Sequence, residues 1–264
     1  MDRKYFAGIF ALMLMAVGLL AFQHRSPAIT TVYLIGDSTM ADYPSYDEDY
    51  MGKRYPMTGW GQVFQPMFSK DKLQQISHIT EGDSVRVDNR ARGGRSTRTF
   101  FEEGRWSAVY KELKKGDVVL MQFGHNDAAE NKPERYVSVE GYKEYLRLYI
   151  TQTREKEAKP ILITPVNRNY PWKDGKLLNS HEAYHKAALE VGEETGVSMI
   201  DLTRLSIEFF SAKGQDYVTS NYFMNIAAGK YTAYPDGLED NTHFQPEGAA
   251  AVAALVFQGL RFIP

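Results

Sequence analysis

The sequence predicts a three-layer α/β/α sandwich on a central, mostly parallel five-stranded sheet, and three observations lead there. Short runs rich in β-branched residues recur at 31–36, 85–91, 117–124, 159–166 and 197–202. Longer helical stretches lie between or after them, the clearest at 105–114, 140–157, 181–195 and 246–260. Strands joined through helices imply right-handed crossovers and a parallel sheet covered on both faces. Ligands of such sheets gather outside the carboxyl ends of the strands, so the residues just past each run deserve inspection.

The chain opens with Arg3 and Lys4 ahead of an unbroken apolar run from Tyr5 to Phe22. That pattern reads as a signal peptide or an N-terminal membrane anchor over 1–25, followed by one folded domain over 30–264. A secreted or periplasmic location is expected, with membrane contact only if the leader stays uncleaved. There is no Cys, which excludes a lipid-modified cysteine, and a chain of 264 residues with 43% hydrophobic content needs no covalent staple. Lys plus Arg at 31 against Asp plus Glu at 33 leaves a net charge of −2, so no overall field recruits nucleic acid.

The first strand run ends in Gly-Asp-Ser, and Ser38 there fits a nucleophile, a helix cap or a plain turn residue. Asp37 reads as structural, bonding loop N–H groups. Residues 41–60 hold four Tyr and Trp60, and 214–241 is rich in Tyr, Asn and Gly. Both segments should hang over the same sheet edge, where their rings either stack on sugars or pack on one another. The second run is followed by "NRARGGRST", the third by "FGHND", and "LEDNTHFQPEGA" leads into the last helix, which opens on Pro246 and Glu247. Each motif alone is weak.

Together they form an ordered set: Ser, a flexible glycine, a side-chain amide, then Asp-x-x-His. This set resembles the SGNH, or GDSL-type, hydrolase superfamily, whose blocks supply Ser, Gly, Asn and His in this order. "GDSTMADY", "PMTGWGQ", "ARGGRSTRTF", "QFGHND" and "DNTHFQPEGA" are similar to the rhamnogalacturonan acetylesterase branch, carbohydrate esterase family 12. The resemblance implies a flavodoxin-like fold, Ser38 as nucleophile, His243 as general base and Asp240 as the carboxylate that orients it. It implies an oxyanion hole from the backbone N–H groups of Ser38 and Gly94 and the amide of Asn126. No cofactor or metal is called for, and no protein partner.

The chemistry requires such a set independently, because a serine hydroxyl is a weak nucleophile until an imidazole accepts its proton. Asp240 and His243 are expected to meet through a helical turn, their separation of three putting both on one side. Gly94 offers φ > 0 and close backbone approach. Arg92, Arg98, Trp60 and His125 are candidate substrate contacts, the arginines suiting the carboxylates of an acidic, acetylated polysaccharide. Arg95 is expected in an internal ion pair. "TPVNRN" departs from the branch pattern, with Asn167 and Asn169 around Arg168 where more basic residues are expected.

Rival readings each carry a signal. An α/β-hydrolase elbow needs Gly-x-Ser-x-Gly, and Met40 fills its last position. His181, Glu182 and His185 spell H-E-x-x-H, a zinc hydrolase motif if both imidazoles share a helix face; two solvated helix histidines are the plainer expectation. A lipase or thioesterase of the same superfamily, an acetylxylan esterase and a non-catalytic glycan-binding module complete the alternatives.

Overall fold

The computed structural model describes residues 29–264; the apolar run, and the leader read from it, lie outside the described residues. In chain order, β1 (Ile29–Gly36) and β2 (Ser84–Asn89) are followed by α1 (Thr97–Glu102) and α2 (Arg105–Glu112). Next come β3 (Val118–Gln122), α3 (Val139–Glu155) and β4 (Lys159–Ile163). A small hairpin, β5 (Trp172–Lys173) and β6 (Lys176–Leu177), precedes α4 (Glu182–Thr195) and β7 (Ser198–Ile200). The chain closes with α5 (Leu202–Lys213), β8 (Phe223–Ile226), β9 (Leu238–Phe244) and α6 (Pro246–Leu260).

The main sheet has five strands in the order β2-β1-β3-β4-β7, and every neighbouring pair is parallel. The chain steps from β1 outward to β2 and then crosses back to β3, so the strand order reverses between β1 and β3. A crevice opens at such a switch point. Ser38 and Asn126 follow the two strands that flank it.

Alternation along the strands divides the core. Val32, Leu34, Leu120, Ile161 and Ile163 face a cluster with Phe210 of α5 and Val252, Val256 and Leu260 of α6. Tyr33, Ile35, Val119, Met121 and Leu162 face the other way, against residues such as Trp106, Tyr149 and Val191 from α2, α3 and α4. Neither face of the sheet is left to water, which is why these strands read as continuous apolar runs.

Each expected strand and helix is present, with shifted ends. The run at 117–124 stops at Gln122 because Gly124, at φ 133°, turns the chain and gives its N–H to Asp127. Periodicity missed α1, six residues started by a capping box between Ser96 and Thr99. It also missed α5 and the β8–β9 hairpin.

Candidate active site

The turn after β1 is fixed from below. Asp37 is fully buried; its Oδ1 accepts from the Thr39 N–H at 2.9 Å and the Thr39 hydroxyl at 2.8 Å, as a structural Asp37 requires. Tyr43 donates its hydroxyl to the Ser38 carbonyl at 3.0 Å. These bonds leave the Ser38 side chain at the floor of a cleft of about 760 Å³.

The hairpin β8–β9 carries His243, the expected base. Phe223 pairs with Phe244 while its neighbour Met224 pairs with Asp240, so residues 241–243 bulge out of the ladder. Asp240 and His243 therefore meet across a β-bulge instead of the helical turn expected from their spacing. Within it Asp240 Oδ1 accepts from the N–H groups of Thr242 and His243, and Oδ2 lies 2.6 Å from His243 Nδ1. His243 Nε2 lies 2.9 Å from Ser38 Oγ. Burial opposes ionisation of Asp240, but the imidazole and the two N–H donors outweigh it and hold the carboxyl down to about 2. A charged carboxylate fixes His243 with its proton on Nδ1 and leaves Nε2 free to take one from the serine.

The proposed oxyanion donors sit on the neighbouring strand ends. Gly94 has φ +80°, as its expected role demands, and its backbone N–H has no acceptor among the described residues. Asn126 gives one amide hydrogen to the Arg95 carbonyl at 3.0 Å and keeps a second. Asp127 braces both loops, accepting from the Thr97 N–H and hydroxyl at 2.9 and 2.6 Å and from the Gly124 N–H at 3.1 Å. Nothing in the sequence singled it out beyond its place in the "GHND" run.

The candidate substrate contacts divide. Arg92 lines the cleft, its guanidinium 3.5 Å from the centroid of the Tyr46 ring. Arg95 forms the expected internal pair, with Glu103, and also holds the Gly93 carbonyl. Trp60 is a correction: it is 0% exposed, packs edge-on against Phe64 and donates Nε1–H to Gln122, so no sugar can stack on it. Arg98 is a second correction. It pairs with Glu102 and donates to the carbonyls of Pro133, Glu134 and Tyr136, holding one wall of the cleft from behind.

His125 lines the cleft but is 4% exposed, with Nδ1 at 3.2 Å from Asp37 Oδ2. Burial lowers its pKa and keeps the ring neutral, so Nδ1–H donates to Asp37 and the buried Nε2 is left without a partner. The sequence reading missed Arg168, which bridges the Thr242 hydroxyl and the His125 carbonyl, each at 3.2 Å. Its signal was the unusual "TPVNRN" after β4. The two irregular segments do meet at the same edge, through the Tyr234 hydroxyl on the Arg54 carbonyl and the edge-on packing of Tyr55 against Tyr231. Tyr43 and Tyr46 line the cleft, whereas Tyr50, Tyr55 and Tyr231 pack on one another.

The H-E-x-x-H residues do not form a ligand set. His181 precedes α4 as its cap, buried against His125 with ring centroids 4.4 Å apart, and its Nε2–H meets the Val166 carbonyl. His185 Nε2 faces Asp201 at 2.8 Å, and Glu182 is exposed. Neither histidine is the solvated helix residue expected, since one is buried in the site and the other is tied to a carboxylate.

A serine, an imidazole and a carboxylate in one hydrogen-bonded chain at the carboxyl edge of a doubly wound sheet have the layout of a flavodoxin-like serine hydrolase. The chain belongs to the GDSL-like Lipase/Acylhydrolase family, whose pattern matches residues 34–251, and is a carboxylic ester hydrolase. It is 39% identical over 231 residues to "Probable rhamnogalacturonan acetylesterase YesY" of Bacillus subtilis, covering 87% of this chain and 92% of that protein. It is 35% identical to "Rhamnogalacturonan acetylesterase RhgT" of the same organism, covering 87% and 88%. The solved structure of YxiM from Bacillus subtilis superposes with a TM-score of 0.70 at 28% identity, over 89% of this chain and 56% of that one. This chain thus spans about half the length of the YxiM structure.

Proposed function

We propose that the protein is a serine esterase that removes O-acetyl groups from an acidic plant cell-wall polysaccharide, acetylated rhamnogalacturonan foremost, and releases acetate. The observation that carries this reading is the continuous Ser38–His243–Asp240 chain, opening into a cleft lined by cations. Ser38 Oγ attacks the acetyl carbonyl while His243 Nε2 takes its proton. The N–H groups of Ser38 and Gly94 and the free amide hydrogen of Asn126 receive the charge that develops on the carbonyl oxygen. His243 then protonates the departing sugar oxygen, and a water activated by the same imidazole attacks the acyl-enzyme, releasing acetate and restoring the serine.

The names of YesY and RhgT support the substrate. The cleft lining supports it too: Arg54, Arg92, Arg168, Asn126 and Asn131 suit a charged glycan far better than a lipid chain, for which a long apolar slot is needed. The basic N-terminus and apolar run support work outside the cytoplasm. Acetate release measured across acetylated rhamnogalacturonan, acetylated xylan and short triacylglycerols tests the reading. The pectic polymer is expected to turn over fastest; faster release from xylan would reject the pectic substrate, and preference for the lipids would reject the carbohydrate class.

A further inference from the structure

Six cationic side chains line the cleft, Arg54, Arg92, Arg95, Lys132, Arg135 and Arg168, against a single carboxylate, Asp240. Asp240 is committed to His243. Arg54 and Arg95 are neutralised by Asp47 and Glu103. Arg92 and Arg168 differ from these: among the described residues no carboxylate pairs with either. Both are nonetheless held in place, Arg92 by the Tyr46 ring and Arg168 by the Thr242 hydroxyl and the His125 carbonyl. Neutral partners fix a guanidinium without cancelling its charge, so the fork stays available and its ordering entropy is already spent.

Their places in the sheet are also distinct. Arg92 follows β2 and Arg168 follows β4, whereas Ser38 and Asn126 follow β1 and β3 between them. Neighbouring strands lie about 4.8 Å apart, which sets the ends of β2 and β4 about 14 Å from each other. These two arginines thus leave the sheet on opposite sides of the strand that carries Ser38.

We propose that Arg92 and Arg168 form a two-point clamp for carboxylates on both sides of the ester being cleaved, so that the enzyme favours internal positions of a polyuronide chain over a single acidic sugar. This rests on the acidic-polysaccharide reading above. Guanidinium forks match carboxylates bidentately, and two forks separated by the catalytic residues select a chain that crosses the sheet edge.

The test measures acetate release from acetylated rhamnogalacturonan with free carboxylates, from the same polymer after methyl esterification, and from an acetylated mono-uronide. Arg92→Gln and Arg168→Gln are each expected to lower the free-acid to methyl-ester ratio of kcat/KM about tenfold, the loss of one charge-assisted contact. The double variant is expected to lower it about a hundredfold, because distant contacts act independently. Arg168→Lys, which keeps the charge without the fork, should fall between. The mono-uronide should respond to only one of the two replacements. Equal loss on both forms of the polymer would reduce Arg168 to a brace for Thr242 and His125 and overturn the clamp. A double variant no worse than the worse single would mean one shared carboxylate, and would also overturn it. Failure of the unaltered enzyme to release acetate from either polymer would instead overturn the esterase reading on which the clamp rests.

Discussion

Asp240–His243 and Asp37–His125 are both carboxylate–imidazole pairs at one edge of the sheet, with oxygen and nitrogen 2.6 and 3.2 Å apart. The first joins residues three apart in the chain on a hairpin, with side chains 22% and 25% exposed. The second joins residues 88 apart, 0% and 3% exposed, and ties the nucleophile turn to the loop that carries Asn126. Only the first presents Nε2 to Ser38 Oγ. A base that must take up and return a proton needs an imidazole that water and substrate can reach, whereas a brace is best sealed away. Burial decides between the two roles, since it disfavours the charged imidazolium that general-base catalysis creates.

The largest test of that contrast lies at the exposed pair. Ser38→Ala and His243→Ala are each expected to lower kcat on the order of 10⁴ to 10⁶ while the protein stays folded, and Asp240→Asn about 10⁴. Near-normal turnover in any folded variant, followed by acetate release, would break the assignment. Asn126→Ala comes next, with a fall in kcat of about 10² to 10³ and a smaller change in KM. A shift seen in KM alone would move Asn126 from the oxyanion to substrate binding.

The buried pair should respond in stability before activity. Asp37→Asn weakens bonds to a charged acceptor and is expected to cost about 2–3 kcal/mol in denaturant unfolding, with a smaller loss of kcat than Asp240→Asn. If it matched Asp240→Asn in kcat without losing stability, the brace reading would be wrong.

The last test concerns Asp127, one residue beyond Asn126, and reads stability against pH. Burial raises its carboxyl from 3.8 to about 7, against the opposing pull of the Thr97 donors. A raised carboxyl contributes stability that is complete below 3.8 and lost as pH climbs through about 7, because the folded state then holds a proton the unfolded chain has released. Unfolding midpoints of the native protein and Asp127→Asn, compared from pH 4 to 7.5, should diverge with that slope. Parallel curves would show that Asp127 is ionised throughout. Asp240 makes the opposite case: its carboxyl, lowered from 3.8 to about 2, adds stability that is complete above 3.8 and lost as pH falls through about 2.

The sequence by itself determined the layers and pointed to the residues proposed as the reacting groups. Apolar runs of strand length alternating with amphipathic stretches fix a parallel sheet, and its carboxyl edge can be read directly from where each run ends. Ser38, Gly94 and Asn126 each lie within a few residues of a strand terminus, and the resemblance of the motifs there supplied the roles proposed for them. Only the tertiary structure decided what each flanking side chain touches. Trp60 and Arg98 have the right chemistry for a sugar and an acid, yet one is sealed over Gln122 and the other is spent on Glu102 and three carbonyls. Arg168 stayed hidden because its meaning comes from Thr242, 74 residues away, and His125, 43 away. The spacing of Asp240 and His243 was visible, but the β-bulge that closes it depends on pairing with Phe223 and Met224. Local pattern encodes periodicity and turn chemistry; burial and partners arise only when distant strand ends are brought to one edge, and those two properties separate a catalytic imidazole from a structural one.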